Sequence, residues 1–220
     1  MRTPRETKNA TADFINARYG CDISDLSSWD KCKGRVLPRL VDYRETDYLQ
    51  GKPHTMTADL PVIYSVEIGQ DETGTASAPV TDSMLAVWGI TLEELDKVAR
   101  KNIKADVLSL AETLAQLTGG MAGDLFGAPE VVVLSNKSHV NGAAAVLDPD
   151  TMGALCKKFG GKVAMIPSSI HEWLVMSAED ADAQEFGRMI KDVNATALQE
   201  DDILSDRLYT YSPEEGLQIA

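Results

Sequence analysis

From residue 130 onward the linkers of this chain are too short for parallel crossovers throughout. The run 130–135 (EVVVLS) is rich in β-branched residues and reads as a strand, 136–141 as a turn, and 142–147 (GAAAVL) as the strand that completes a hairpin. Asp148 then opens a helix with Pro149 at its first position, running to Phe159 ahead of Gly160-Gly161. Two further strands, 163–166 and 171–176, flank Ser168-Ser169. A parallel crossover needs about a dozen residues or more, usually a helix, between the strands it joins. Hairpins alternating with single helices therefore predict an α+β fold. Its sheet is antiparallel or mixed, built from hairpins, with helices packed mainly on one face.

The first half fits the same plan. Trp29, Cys32, Val36 and Leu40 recur at three- and four-residue spacing, so 22–43 reads as a helix with Ser24 as N-cap and a kink or stop at Pro38. Residues 44–58 are polar, carry Gly51 and Pro53, and read as a loop. A strand at 59–68 (DLPVIYSVEI) turns at 70–74 and pairs back through 75–80, in what we expect to be the same sheet as the later hairpins. A helical turn at 83–88 closes at Gly89, and Thr91-Leu92-Glu93-Glu94 is a capping box for the next helix. Leu108, Leu110, Ala111, Leu114 and Leu117 suggest a further helix over 104–117, ended by Gly119-Gly120. The glycine-rich 118–129 lacks the Gly-Lys-Ser/Thr of a phosphate loop and precedes a strand, so it reads as a connection. Toward the end, Ser177 is the expected cap of a helix whose Phe186, Met189, Ile190 and Val193 face the core. A last hairpin pairs 207–211 with 217–219. The expected organisation is a flexible segment 1–20 and one α+β domain 21–220, with possible sub-halves 21–118 and 130–220.

Composition removes several function classes. Hydrophobic residues make up 44% of the 220 and charged residues 25%, which is globular rather than disordered. No apolar run approaches the roughly 20 residues of a membrane helix, and the first twenty residues hold no apolar signal core. Cys21, Cys32 and Cys156 are odd in number and far apart, so they read as reduced thiols in a cytoplasm. Lys and Arg number 21 against 34 Asp and Glu, a formal charge of −13 that disfavours direct nucleic-acid binding. It fits simple solubility, or an acidic surface that occupies a basic groove on another protein.

Candidate chemistry gathers at Pro167-Ser168-Ser169-Ile170-His171-Glu172, where one of three histidines stands beside two hydroxyls and a carboxylate in an apolar stretch. Ser169, His171 and Glu172 are the candidate nucleophile, base and acid of a hydrolase or transferase. Strand alternation would put Ser169 and His171 on one face and Ser168 and Glu172 on the other, so His171 would need another carboxylate, with Asp59 or Glu67 available. The structural alternative is a Pro-Ser-Ser turn whose hydroxyls bond nearby backbone, with His171 holding two hairpins in register. His171-Glu172 begins like HExxH, but Val175 stands where the second histidine belongs, so no metal and no cofactor is expected. Two acidic runs, Glu179, Asp180 and Asp182, and Glu200, Asp201 and Asp202, are the candidate contacts for a basic protein partner.

Six segments stand in a recognisable order: Asp59-Leu60-Pro61-Val62; Trp88-Gly89-Ile90 with Glu93-Glu94-Leu95; Leu134-Ser135-Asn136; Gly142-Ala143-Ala144; Pro167 to Glu172; and Leu204-Ser205-Asp206-Arg207-Leu208-Tyr209. Together they resemble DUF5688, a bacterial family of unknown function related to the smaller DUF1444 (YtpQ-like) group. The resemblance covers roughly residues 25 to 212 and implies a bacterial cytoplasmic protein carried on mobile elements, but no reaction. It also implies a longer region ahead of Trp29 than stands here. The expected function is that of a non-catalytic acidic interaction protein, one form being an inhibitor of a nucleic-acid-binding enzyme. The rival is a hydrolase or transferase at Ser169 and His171.

Overall fold

A computed structural model describes residues 18–19, 22–71, 74–111 and 130–220. The expected N-terminal segment apart from Arg18 and Tyr19, Cys21, the tail of the helix expected at 104–117 and the glycine-rich connection lie outside the described residues. The fold is α+β, with antiparallel strands throughout the described pairings. By packing, the described residues divide into two compact units: those up to Pro38 with those of Asp47–Thr55 and Ile63–Asn102, and those of Arg39–Thr46 with Met56–Val62 and Ile103–Ala220.

One sheet has four strands, β1 (Val36–Leu40), β2 (Thr55–Thr57), β3 (Leu60–Asp71) and β4 (Gly74–Pro79), with β3 between β1 and β2 and paired also to β4. The β3–β4 hairpin expected from the sequence is present, with a bulge between Glu67 and Gly69. The helix expected over 22–43 is not. A 3-10 turn at Ile23–Ser27 is capped by Asp22 rather than Ser24, one helical turn α1 (Trp29–Cys32) follows, and β1 begins. Val36 and Leu40 satisfy a four-residue period and a two-residue one equally. Pro38 lies between them, also buried, and has no amide to give a helix, so the strand prevails. In the first unit, Trp88 donates its indole N–H to the Leu26 carbonyl at 2.9 Å and packs 5.3 Å from Trp29. Helix α2 (Asp82–Trp88) ends on Gly89 at φ 67°, and α3 (Leu92–Lys101) is capped by the Thr91 hydroxyl, as its sequence announces.

The second sheet has six strands in the order β10-β9-β7-β8-β6-β5: β5 (Ala105–Ser109), β6 (Val132–Asn136), β7 (Val163–Ser169), β8 (Glu172–Ser177), β9 (Tyr209–Ser212) and β10 (Gly216–Ile219). The hairpins around 59–80 and 130–177 therefore belong to separate sheets, not to one. Residues 105–109 form a strand rather than the expected helix, because pairing with β6 overrides a helical leucine spacing. Residues 142–147 are a buried 3-10 segment rather than a return strand. The return strand to β6 is instead β8.

Alternation gives this sheet two dissimilar faces. Ala164, Ile166, Met176 and Leu208 pack with Ile190 of α5 (Ala183–Ala197). On the other face Trp173 of β8 donates its indole N–H to the Ala143 carbonyl at 2.8 Å and meets the Tyr209 ring edge-on at 5.4 Å. Helix α4 (Pro149–Lys158) has Pro149 in its first turn as expected, and its Cys156 thiol donates to the Tyr211 carbonyl. Two expectations for α5 fail. Its cap is Asp182, while Ser177 caps a separate 3-10 turn at Ala178–Asp180, and Met189 and Val193 stand 42% and 44% exposed instead of facing the core. The helix buries only the stripe that includes Ile190 and Asn194.

Candidate functional site

The segment Pro167 to Glu172 is the end of β7, a two-residue turn and the start of β8. Pro167 pairs with Trp173 and Ser169 with Glu172, with a bulge between. The Ser169 hydroxyl accepts the backbone N–H of His171 at 3.0 Å, which closes the turn. Ser168 donates to the Glu172 carboxylate at 3.3 Å. Thus Ser169, His171 and Glu172 share a turn, but the hydroxyl of Ser169 is directed at backbone.

The imidazole looks the other way. Its Nδ1 accepts the backbone N–H of Asn141 at 3.0 Å. That bond places the proton of the neutral ring on Nε2, which faces the Asp202 carboxylate at 3.4 Å. The carboxylate that meets His171 is therefore Asp202, not Asp59 or Glu67. The Ile170 N–H also donates to the Asp202 carbonyl at 2.9 Å. His171 and Asp202 are 34% and 39% exposed in their side chains, so the pair sits at the surface with one edge wet.

Asn141 can present its amide because of how 136–142 is folded. The Asn136 side chain receives the Ser138 N–H at 3.1 Å and donates to the Val140 carbonyl at 2.9 Å, and Asn141 takes a left-handed φ of 53°. The next residue must be glycine. A Cβ at Gly142 would lie 2.2 Å from Ser135 Oγ, 2.5 Å from the His171 carbonyl and 2.8 Å from the Asn136 amide nitrogen. Ser135 in turn donates to the His171 carbonyl at 2.8 Å, and the Ala143 N–H donates to the Ile170 carbonyl at 3.2 Å. Three of the recognised segments, at 134–136, 142–144 and 167–172, thereby form one knot.

Two more segments, at 59–62 and 204–209, form a second network. Tyr209 is fully buried, and its hydroxyl donates to Asp59 Oδ1 at 2.8 Å while accepting from Ser205 Oγ at 2.8 Å. Asp59 Oδ2 receives Arg207 at 2.5 Å, and Ser205 Oγ accepts the Arg207 N–H at 3.1 Å. The Arg207 guanidinium lies 4.2 Å from the centre of the Tyr43 ring, whose hydroxyl donates to Asp206 at 3.0 Å. Burial, followed in effect by the carboxylate beside it, pushes the Tyr43 hydroxyl above its usual range. Buried Asn194 donates to the Ser205 carbonyl at 2.9 Å. Sequence reading offered Asp59 only as a partner for His171 and missed this arrangement. Asp59 and Tyr209 stand 150 residues apart, and no local spacing encodes their pairing.

The acidic runs are dispersed. Glu179 and Asp180 are exposed in the 3-10 turn before α5, and the Asp182 carboxylate accepts the Glu185 N–H as helix cap. Glu200 and Asp201 are exposed in a second turn, and Asp202 faces His171. Among the described residues no three His, Cys, Asp or Glu side chains converge as a metal site, and no helix is long and apolar enough to cross a membrane.

The profile described as "Family of unknown function (DUF5688)" matches residues 7–213. The chain belongs to this family. No curated protein and no solved structure matches it. The motifs that carried the resemblance are thus, in large part, the residues of two polar networks that fasten remote segments to the six-stranded sheet.

Proposed function

We propose that this chain is a non-catalytic, cytoplasmic acidic binding protein whose partner is a basic protein. The observation that carries the non-catalytic half is the division of labour at the turn. The Ser169 hydroxyl serves the His171 amide, and His171 Nδ1 serves the Asn141 amide, so the hydroxyl-to-imidazole bond that activates a nucleophile is not made. The formal charge of −13, with exposed Glu179, Asp180, Glu200 and Asp201, supports the basic partner. An inhibitor of a nucleic-acid-binding enzyme, carried on a mobile element, is the specific form we favour, because such enzymes present basic grooves of the complementary sign.

Co-purification of the tagged chain from a bacterial host at low and moderate salt, with partners identified by mass spectrometry, tests this reading. A stoichiometric basic partner that salt removes supports it. A chain that emerges alone at low salt counts against it. The second reading, a hydrolase or transferase at Ser169, His171 and Glu172, draws on one observation, the half-exposed His171–Asp202 pair. His171→Gln separates the two: a latch loses about 1–3 kcal/mol of stability, whereas a catalytic histidine leaves the chain folded and abolishes turnover across a panel of ester and phosphoester substrates.

A further inference from the structure

The ring of His171 bridges two segments that are remote in sequence. The Asn141 amide N–H donates to its Nδ1 at 3.0 Å, and its Nε2 faces Asp202 Oδ1 at 3.4 Å. The first contact exists only in the neutral ring. A histidine that takes a second proton is a donor at both nitrogens. With Nε2 already carrying a hydrogen, that proton enters at Nδ1, and two N–H groups would then oppose each other across 3.0 Å. The second contact gains what the first loses, because 3.4 Å is long for a hydrogen bond and a charged ring closes on a carboxylate. We propose that His171 is an acid-released latch: protonation of the ring detaches Asn141, turns the imidazole to Asp202 alone and frees the turn 136–142.

The charged groups on the three elements that meet the ring are few. Glu172 stands on its own hairpin, Glu200, Asp201 and Asp202 on the 3-10 turn Glu200–Asp202, and Lys137 and His139 on the turn 136–142. Among the described residues Asp202 alone holds a ring nitrogen within ion-pair reach. Glu172 is engaged by the Ser168 hydroxyl, and Lys137 and His139 are exposed. The charged ring therefore has one counterion to turn to. The turn, for its part, is set to move once released. His139 and Asn141 hold φ of 52° and 53°, a left-handed region that residues with a Cβ enter at a cost. The Asn136 side chain binds the Ser138 N–H and the Val140 carbonyl inside the turn, so those bonds travel with it. Beyond Gly142 the anchors use backbone rather than the ring: Ser135 donates to the His171 carbonyl and the Ala143 N–H to the Ile170 carbonyl. Release is thus confined to the residues ahead of Gly142, and the buried 3-10 segment behind it stays docked.

The test is a nitrogen–proton NMR titration of the full chain from about pH 8 to about pH 5, a window in which histidine rings change charge while most carboxylates stay ionised. The chain holds three histidines, so His54→Gln and His139→Gln, both at exposed positions, assign the ring protons of His171 by elimination. Those protons report its charge, and the Asn141 amide is read in the same sample. The expected result is that the Asn141 amide signal moves upfield along the His171 curve. Its protection from exchange, corrected for the intrinsic effect of pH, should fall about tenfold over the same curve. The Ala143 amide should keep its protection throughout. His139→Gln should leave this response intact, and His171→Gln should make the Asn141 amide indifferent to pH. If His171→Gln fails to fold, the natural chain and His139→Gln decide, since neither alters the latch. An Asn141 amide that stays protected while the His171 ring takes up its proton overturns the latch, and so does one that follows the His139 ring instead. Loss of protection at Ala143 in the same step overturns the confined release in favour of general opening of the knot.

Discussion

Two buried tyrosines, one in each compact unit, are held by the same triangle of side chains. Tyr64 donates to Asp96 at 2.7 Å, Arg100 holds that carboxylate at 2.8 Å, and Thr55 lies 3.0 Å from the phenolic oxygen. Tyr209 donates to Asp59 at 2.8 Å, Arg207 holds it at 2.5 Å, and Ser205 lies 2.8 Å from the oxygen. Because each phenolic proton is committed to a carboxylate that can only accept, Thr55 and Ser205 must be the donors to the tyrosine oxygens. The chemistry is identical but the wiring is not. Asp96 and Arg100 are four residues apart on α3, whereas Asp59 reaches Arg207 across 148 residues. A buried hydroxyl needs a partner wherever it sits; Tyr64 finds its carboxylate 32 residues away and Tyr209 finds one 150 residues away, and only the arginine of the first triangle is supplied by local spacing.

The largest effect should come from removing either aspartate. Asp59→Ala and Asp96→Ala each strand a buried tyrosine hydroxyl and an arginine. The guanidiniums are 40% and 32% exposed, so water screens much of the ionic part. The hydroxyl dominates, and we expect about 2–3 kcal/mol for each in urea denaturation. The wiring should appear in the kinetics. The contact that dominates spans 32 residues at Tyr64 and 150 at Tyr209, and the shorter loop closes earlier, so Asp96→Ala should slow folding while Asp59→Ala chiefly speeds unfolding. Identical kinetic signatures would break the comparison.

Tyr64→Phe and Tyr209→Phe should each cost about 1–2 kcal/mol, since the carboxylate keeps its arginine. The same pair governs behaviour in alkali. Burial, and secondarily the neighbouring carboxylate, raises both hydroxyls above the ordinary 10.0, opposed by the hydrogen bonds from Thr55 and Ser205. A pKa raised on folding means that the unfolded chain gives up the proton first. The stabilisation is therefore complete below pH 10.0 and falls as pH rises beyond it. The double phenylalanine variant should flatten the alkaline limb of a pH–stability curve. It should not abolish it, because Tyr43 and Tyr211 are raised as well.

The same contrast between local and remote wiring decides what could be read from the sequence. The Thr91 cap, the Gly89 stop and the β3–β4 hairpin depend on neighbours within a few positions, and each is where the pattern places it. Residues 36–40, 105–109 and 142–147 were misread because their partners, not their own spacing, choose the conformation. Val36 and Leu40 suit either period, β5 is set by β6, and Gly142 is pressed against Ser135 and His171. At the candidate site the turn from Pro167 to Glu172 was visible, since proline and serine announce it. The partners of His171 were not, because one is a backbone amide 30 residues away and the other a carboxylate that the sequence offers as a surface charge.

The smallest and most discriminating test removes the donors. Ser205→Ala and Thr55→Val each delete one hydrogen bond to a tyrosine that keeps its carboxylate, and about 0.5–1.5 kcal/mol is the expected loss. Thr55→Val keeps the side-chain shape on β2, so its effect isolates the hydroxyl. Ser205 also accepts the Arg207 amide at 3.1 Å, so Ser205→Ala removes two bonds and should fall at the upper end of that range. Both substitutions withdraw a donor that favours the phenolate, and should raise the tyrosine pKa further. Ultraviolet titration of the phenolate band reads this directly: each variant should ionise its tyrosine later in alkali than the natural chain. Earlier ionisation would mean that the tyrosine proton points at the hydroxyl rather than at the carboxylate, and the two triangles would then not be the same device.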